Sequence, residues 1–112
     1  MAMPDSLWTY RAFKFTINQP DAPIPDNFSL SQNYPNPFNP NTNISFSVPL
    51  QSLVTLKIFD ILGREVAQLV NENLNPGNYN ILWNASKFSS GVYFYTLIGD
   101  NFIETKKMIL VR

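Results

Sequence analysis

The side chains here that could do chemistry are few, and their spacing argues against it. Asp60 and Glu65 would be the carboxylate pair for general acid–base work. They flank the stretch Asp60-Ile61-Leu62-Gly63, however. There a carboxylate accepts hydrogen bonds from turn amides, and a glycine takes the positive φ of a tight reversal. Asp60 therefore reads as a turn cap and Glu65 as a solvated edge residue. Ser89 and Ser90 precede Gly91 with no base in sight to activate either hydroxyl. Asp100, Asn101 and Glu104 offer oxygens to a calcium ion, but their spacing matches no EF-hand loop. The sequence has no histidine and no cysteine, which removes the commonest general base, nucleophile and transition-metal ligands. No catalytic, cofactor-binding or metal-ligating residue is assigned, and the chain is expected to be no enzyme and to need no cofactor.

Two other stretches suit binding better than catalysis. In Gln32 to Pro40, QNYPNPFNP, the prolines fix φ and push the residues before them extended, so Tyr34 and Phe38 stand on a stiff backbone. The structural reading makes Phe38 a plug at the end of a fold; the functional one makes the segment a preformed recognition surface, with Asn36 and Asn39 left open. The second stretch, Phe102 to Arg112, joins the basic pair Lys106 and Lys107 to the apolar run Met108, Ile109, Leu110 and Val111 before Arg112. It is either a closing strand with gatekeeper charges or an edge that another sheet can seize through main-chain hydrogen bonds.

The elements that must position these residues are short strands. From Leu53 to Val70 the chain reads as a hairpin about the Asp60–Gly63 turn, with Val54, Leu56 and Ile58 alternating with Thr55, Lys57 and Phe59. A lone hairpin is barely stable in water, so a second sheet must cover its apolar face. Phe28 to Asn33 and Thr42 to Val48 are further strands, the latter with Ile44, Phe46 and Val48 on one face. Asn71 to Asn78 reads as a polar turn, followed by a strand over Tyr79 to Asn84 with Tyr79, Ile81 and Trp83 inward. Residues 85–90 form a loop, and strands follow over Val92 to Ile98 and Phe102 to Val111. Tyr93, Tyr95 and Leu97 share one face. Such spacing, without helical periodicity, predicts an all-β, immunoglobulin-like antiparallel β-sandwich of about seven strands. Aromatic packing must replace the disulfide of antibody domains.

Upstream, Leu7 to Ile17 reads as a strand, so residues 1–17 are either the remnant of a preceding domain or an extra edge strand. Residues 18–27 form a proline-rich linker, and 28–112 the globular domain. Eight basic and eight acidic residues balance, leaving no field to attract nucleic acid or an anionic membrane. The hydrophobic fraction of 45% argues against disorder, and the charged fraction of 14% is low enough to suggest that some apolar surface meets a partner. Dimerisation by edge pairing is left open. The first residues have no basic start before an apolar run, so they are no secretory signal, and no apolar run approaches the roughly 18 residues of a membrane span.

Taken together and in order, NYPNPFNP, FDILGREV, NPGNYNILWN, SGVYFYTL and the KKMILVR end resemble the C-terminal sorting domain of the type IX (Por) secretion system of the Bacteroidetes, type A. The immunoglobulin-like domain of the flagellar hook-capping protein is a looser relative. The resemblance runs from about Phe28 to Arg112. It implies a sandwich at the end of a covalently linked cargo protein that crosses the inner membrane by an N-terminal signal. Outer-membrane type IX components would then recognise the domain, and a sortase-like surface protease would remove it and attach the cargo to the cell surface. The expected location is secreted or cell-surface, by way of the periplasm. By resemblance the motif positions are Asn36, Pro37, Phe38 and Asn39, then Asp60, Gly63 and Arg64, then Gly91, Val92 and Tyr93. The translocon-recognition residues would be Lys106, Lys107, Met108, Ile109, Leu110, Val111 and Arg112. Cleavage is expected in the linker before Phe28. Without a cargo domain or export signal, the sequence looks like an excised terminal module. The alternative is an accessory binding module, for carbohydrate or protein, on a secreted enzyme. It would need several of Trp83, Tyr93 and Tyr95 exposed in a row, whereas alternation turns them inward.

Overall fold

The structure is a computed structural model that describes residues 14–16 and 23–112. The strands are β1 (Lys14–Thr16), β2 (Ser29–Leu30), β3 (Asn41–Val48), β4 (Ser52–Phe59), β5 (Glu65–Leu74), β6 (Gly77–Asn84), β7 (Gly91–Gly99) and β8 (Phe102–Leu110). They form two antiparallel sheets, ordered β1-β6-β3-β2 and β5-β4-β7-β8. Each sheet is apolar on one face, and the two faces bury each other as an all-β sandwich. Ile44, Phe46 and Val48 of β3 and Tyr79, Ile81 and Trp83 of β6 meet Val54, Leu56 and Ile58 of β4 and Tyr93, Tyr95 and Leu97 of β7. These are the inward sets that alternation predicts. Of the expected strand over Leu7 to Ile17, Lys14–Thr16 pairs with β6; its remaining residues, and the first half of the linker, residues 18–22, lie outside the described residues.

Two boundaries differ from the sequence reading. The polar stretch Asn71–Asn78 is nearly all strand, with only Asn75 and Pro76 left to the turn. Asn71, Glu72 and Asn73 pair with Thr55, Val54 and Leu53. Main-chain pairing on an edge strand needs no apolar side chain, so hydrophobic alternation is silent there. The β4–β5 ladder also shifts register between Leu56 and Lys57 and between Ile58 and Phe59. The first shift passes over Leu69, which lets consecutive Leu69 and Val70 both be buried.

The expected strand from Phe28 to Asn33 is cut to Ser29–Leu30: pairing with β3 breaks after Ser31, resumes one residue out of register at Tyr34 opposite Asn43, and the chain crosses to β8 of the other sheet by Phe38. The Tyr95 hydroxyl holds that crossing, donating to Ser31 O at 2.7 Å and accepting from Asn33 N–H at 2.8 Å. Buried Asn33 extends the anchor by donating to Thr42 Oγ1 (2.9 Å) and Pro35 O (3.1 Å). Tyr79 and Tyr93 each close a shorter corner, donating to Asn75 O and Ser89 O. Such tyrosine corners recur in immunoglobulin-like sandwiches.

Candidate functional site

The motif segments converge on one end of the sandwich, around Arg112. The first is the turn between β4 and β5. Asp60 Oδ1 accepts from the amides of Leu62 and Arg64, each at 2.9 Å, and Oδ2 accepts from Arg64 Nε at 2.8 Å. Gly63 N–H donates to Asp60 O, and Gly63 has φ +82°, as a turn-closing glycine should. The Asp60 carboxyl is held below its ordinary value, first by the Arg64 amide and further by the Arg64 guanidinium and the Leu62 amide, against the opposing effect of burial. Arg64 is thus the carboxylate's partner, a role that residue type alone did not disclose. Glu65 is not simply solvated: its carboxylate pairs with Lys57 Nζ at 3.3 Å. At the tip, Ile61 and Leu62 are exposed.

The second segment is the loop from Ala85 into β7. An open cleft of about 380 Å³ separates it from the turn, with Ile61, Leu62 and Arg64 on one wall and Lys87, Ser90 and Tyr93 on the other. Arg112 ties the end of the chain to this loop, its amide donating to Ser90 Oγ at 3.0 Å and its guanidinium to Phe88 O. Beneath lies an aromatic cluster centred on Trp83, whose ring is 5.8 Å from Phe38, 5.4 Å from Phe88 and 5.9 Å from Tyr93. Trp83, Tyr93 and Tyr95 are all buried, so they form no planar row on the surface.

The third segment is QNYPNPFNP. Its bonds Tyr34–Pro35, Asn36–Pro37 and Asn39–Pro40 are cis. Phe38 is only 2% exposed and plugs the sandwich end, while Tyr34 is 79% exposed. The segment also lies along the outer edge of β8. Phe38 N–H donates to Ile109 O and Val111 N–H to Phe38 O, both at 2.9 Å. Asn36 Oδ1 accepts from Ile109 N–H at 3.0 Å, and Gln32 Nε2 donates to Lys107 O at 2.7 Å. Asn36 is therefore an edge cap for β8; Pro37 and Asn39 are exposed.

The terminal motif divides by strand alternation. Met108 and Leu110 are buried in the core, whereas Lys107, Ile109, Val111 and Arg112 face solvent. Lys106 is half-buried and pairs with Glu104 at 3.2 Å. Val92 stands opposite Ile109, and Gly91 opposite Leu110, so the β7 motif and the terminal motif are cross-strand neighbours. No group of acidic side chains among the described residues could hold a metal ion.

The molecule is thus a small immunoglobulin-like sandwich with its motifs gathered at one end. The chain belongs to the family of type IX secretion-system C-terminal sorting domains: the model of the secretion-system C-terminal sorting domain matches residues 32–111. The matched span takes in the Asn36–Asn39 segment, the Asp60 turn, the β7 motif and the terminal strand. Among solved structures it is similar to PorZ, an essential bacterial surface component of the type IX secretion system of Porphyromonas gingivalis. The two are 24% identical, with a TM-score of 0.51, over 78% of this chain and 12% of PorZ. The chain thus spans about an eighth of PorZ's length, and the likeness is one of fold. No curated protein matches the chain. Membership of this family implies export to the cell surface or secretion.

Proposed function

We propose that this domain is a non-catalytic secretion signal that acts by being bound: an outer-membrane type IX translocon component reads it and exports the cargo joined to its N-terminal side. The observation that carries this reading is the convergence of the family motifs on the end of the sandwich around Arg112. There the β8 edge from Lys107 to Val111 is already occupied by Gln32, Asn36 and Phe38. At Ile109 and Val111 a partner strand cannot add without displacing Asn36 and Phe38, so recognition there falls to side chains. Lys107, Ile109, Val111 and Arg112 are the exposed ones. Met108 and Leu110 act indirectly, by anchoring β8 in the core. After export, a sortase-like protease cuts ahead of Phe28, where proline-spaced sequence suits a protease, and the cargo is attached to the surface. The alternative of a sugar-binding module loses its stacking residues, because Trp83, Tyr93 and Tyr95 are core side chains.

The test is export of a reporter carrying a periplasmic signal at its N-terminus and this whole chain at its C-terminus, in a bacterium with a type IX system. The informative variant is Lys107→Ala/Ile109→Thr/Val111→Thr, which changes outward side chains and leaves the core intact. Surface display of the parent fusion, with the folded variant retained in the periplasm, is the expected result. Periplasmic retention of the parent, in a host that exports its own sorting domains normally, overturns the sorting reading. Equal display of both fusions overturns the assignment of recognition to this surface.

A further inference from the structure

The edge of β8 is covered over only half its length. In an antiparallel strand, alternate residues direct both main-chain groups to the same side. The β7–β8 register runs without a shift from Phe102 to Leu110, so Ile103, Thr105 and Lys107 direct theirs the same way as Ile109. Among the described residues, nothing pairs with the main chain of Ile103 or Thr105 on that side, and β8 ends its sheet. The edge at the other end of the sheet is different: β5 carries the two register shifts, a feature that discourages edge pairing. The open part of β8 carries no register shift, and Ile103 on it is 70% exposed.

We infer that Ile103–Lys107 is a self-association edge, on which a second copy of this chain pairs antiparallel about a two-fold axis at Thr105. The choice of partner rests on charge and register. That axis places Thr105 opposite Thr105 and Ile103 opposite Lys107, and it sets Glu104 directly opposite Lys106 in both directions. Glu104 and Lys106 already pair within the strand and keep partly exposed side chains, so each carboxylate gains a second cation. They fall at the non-hydrogen-bonded positions, where opposing side chains approach most closely. Thr105 exchanges reciprocal main-chain bonds with its counterpart, as do Ile103 and Lys107. The Lys107 carbonyl keeps its bond to Gln32 on its other lone pair. The pairing is self-limiting, since Asn36 and Phe38 block the edge at Ile109 and the strand begins at Phe102. An edge this short belongs with small, transient interfaces, so the dimer is reversible and concentration-dependent.

Sedimentation of the whole chain from about 10 µM to about 1 mM tests this, a range that spans weak association. The expected result is a monomer–dimer equilibrium. Glu104→Lys or Lys106→Glu alone should weaken it about tenfold, since each sets like charges opposite one another at two symmetric places. The exchange Glu104→Lys/Lys106→Glu should restore it. Thr105→Cys should give a disulfide-linked dimer on mild oxidation, because a hydrogen-bonded pair sits about 5.5 Å apart at Cα, within disulfide reach. Circular dichroism checks that each variant is folded. A chain that stays monomeric throughout overturns the inference. So does a dimer whose affinity ignores both charge reversals.

Discussion

Replacing Phe38 with alanine separates what its ring does from what its backbone does. The ring is 2% exposed and packs against Trp83, while its amide and carbonyl clip Ile109 and Val111 at the edge of β8. Alanine keeps both main-chain bonds and removes only the plug. A buried aromatic covers about 150–250 Å², or roughly 4–6 kcal/mol at 25 cal/mol per Å², part of which alanine retains. Large-to-small replacements of this kind cost about 3–5 kcal/mol, provided the site does not collapse. Collapse is opposed here, because Trp83 is held from its other sides by Phe88 and Tyr93. Against a total stability of roughly 5–15 kcal/mol, the loss is large enough to lower the melting temperature by well over 10 °C. The assay is guanidinium unfolding followed by far-ultraviolet circular dichroism, with Tyr34→Ala as the control, whose exposed ring should cost within about 0.5 kcal/mol. If Phe38→Ala unfolds within about 1 kcal/mol of the parent, the plug is not structural and the ring must be retained for another reason.

Other expectations follow from single contacts. Gly63→Ala should cost about 1–2 kcal/mol through the positive φ alone, since nothing lies within 4 Å of an added Cβ. Gly99→Ala should destabilise by overpacking, because a Cβ there would come within 2.5 Å of the Phe28 ring; Phe28→Leu in the same chain should relieve part of that loss, measured by thermal unfolding. The Tyr95 hydroxyl has its pKa pushed up to about 12, chiefly by burial and further by the charge of Glu104, with the Asn33 amide opposing. Folding therefore favours the neutral phenol, and this stabilisation, complete below pH 10, is lost as pH rises from 10 toward 12. The parent should lose stability more steeply over that window than Tyr95→Phe. At the acid end the lowered Asp60 pKa acts in the opposite sense: its stabilisation is present above the ordinary value of 3.8 and disappears as pH falls below it, a slope that Asp60→Asn should flatten.

Whatever is local and periodic was legible in the order of residues. Alternation turned Val54, Leu56 and Ile58 inward, and with them Tyr79, Ile81 and Trp83, because the side-chain period of a strand is built into its backbone. Asp60 and Gly63 announced their turn because both the cap and the positive φ are properties of a few adjacent residues. Tertiary structure alone decided what depends on main-chain pairing between distant segments. The main-chain hydrogen bonds that Phe38 donates to Ile109 and accepts from Val111, and those pairing Asn71–Asn73 with β4, use groups that residue type does not distinguish, so the sequence does not mark them. Alternation placed the Tyr95 ring inward but could not reveal that its hydroxyl holds Ser31 and Asn33. The terminal motif shows both effects: alternation splits Met108 and Leu110 from Lys107, Ile109 and Val111, and the tertiary structure decided that the first set is the buried one and that Phe38 pairs along the edge.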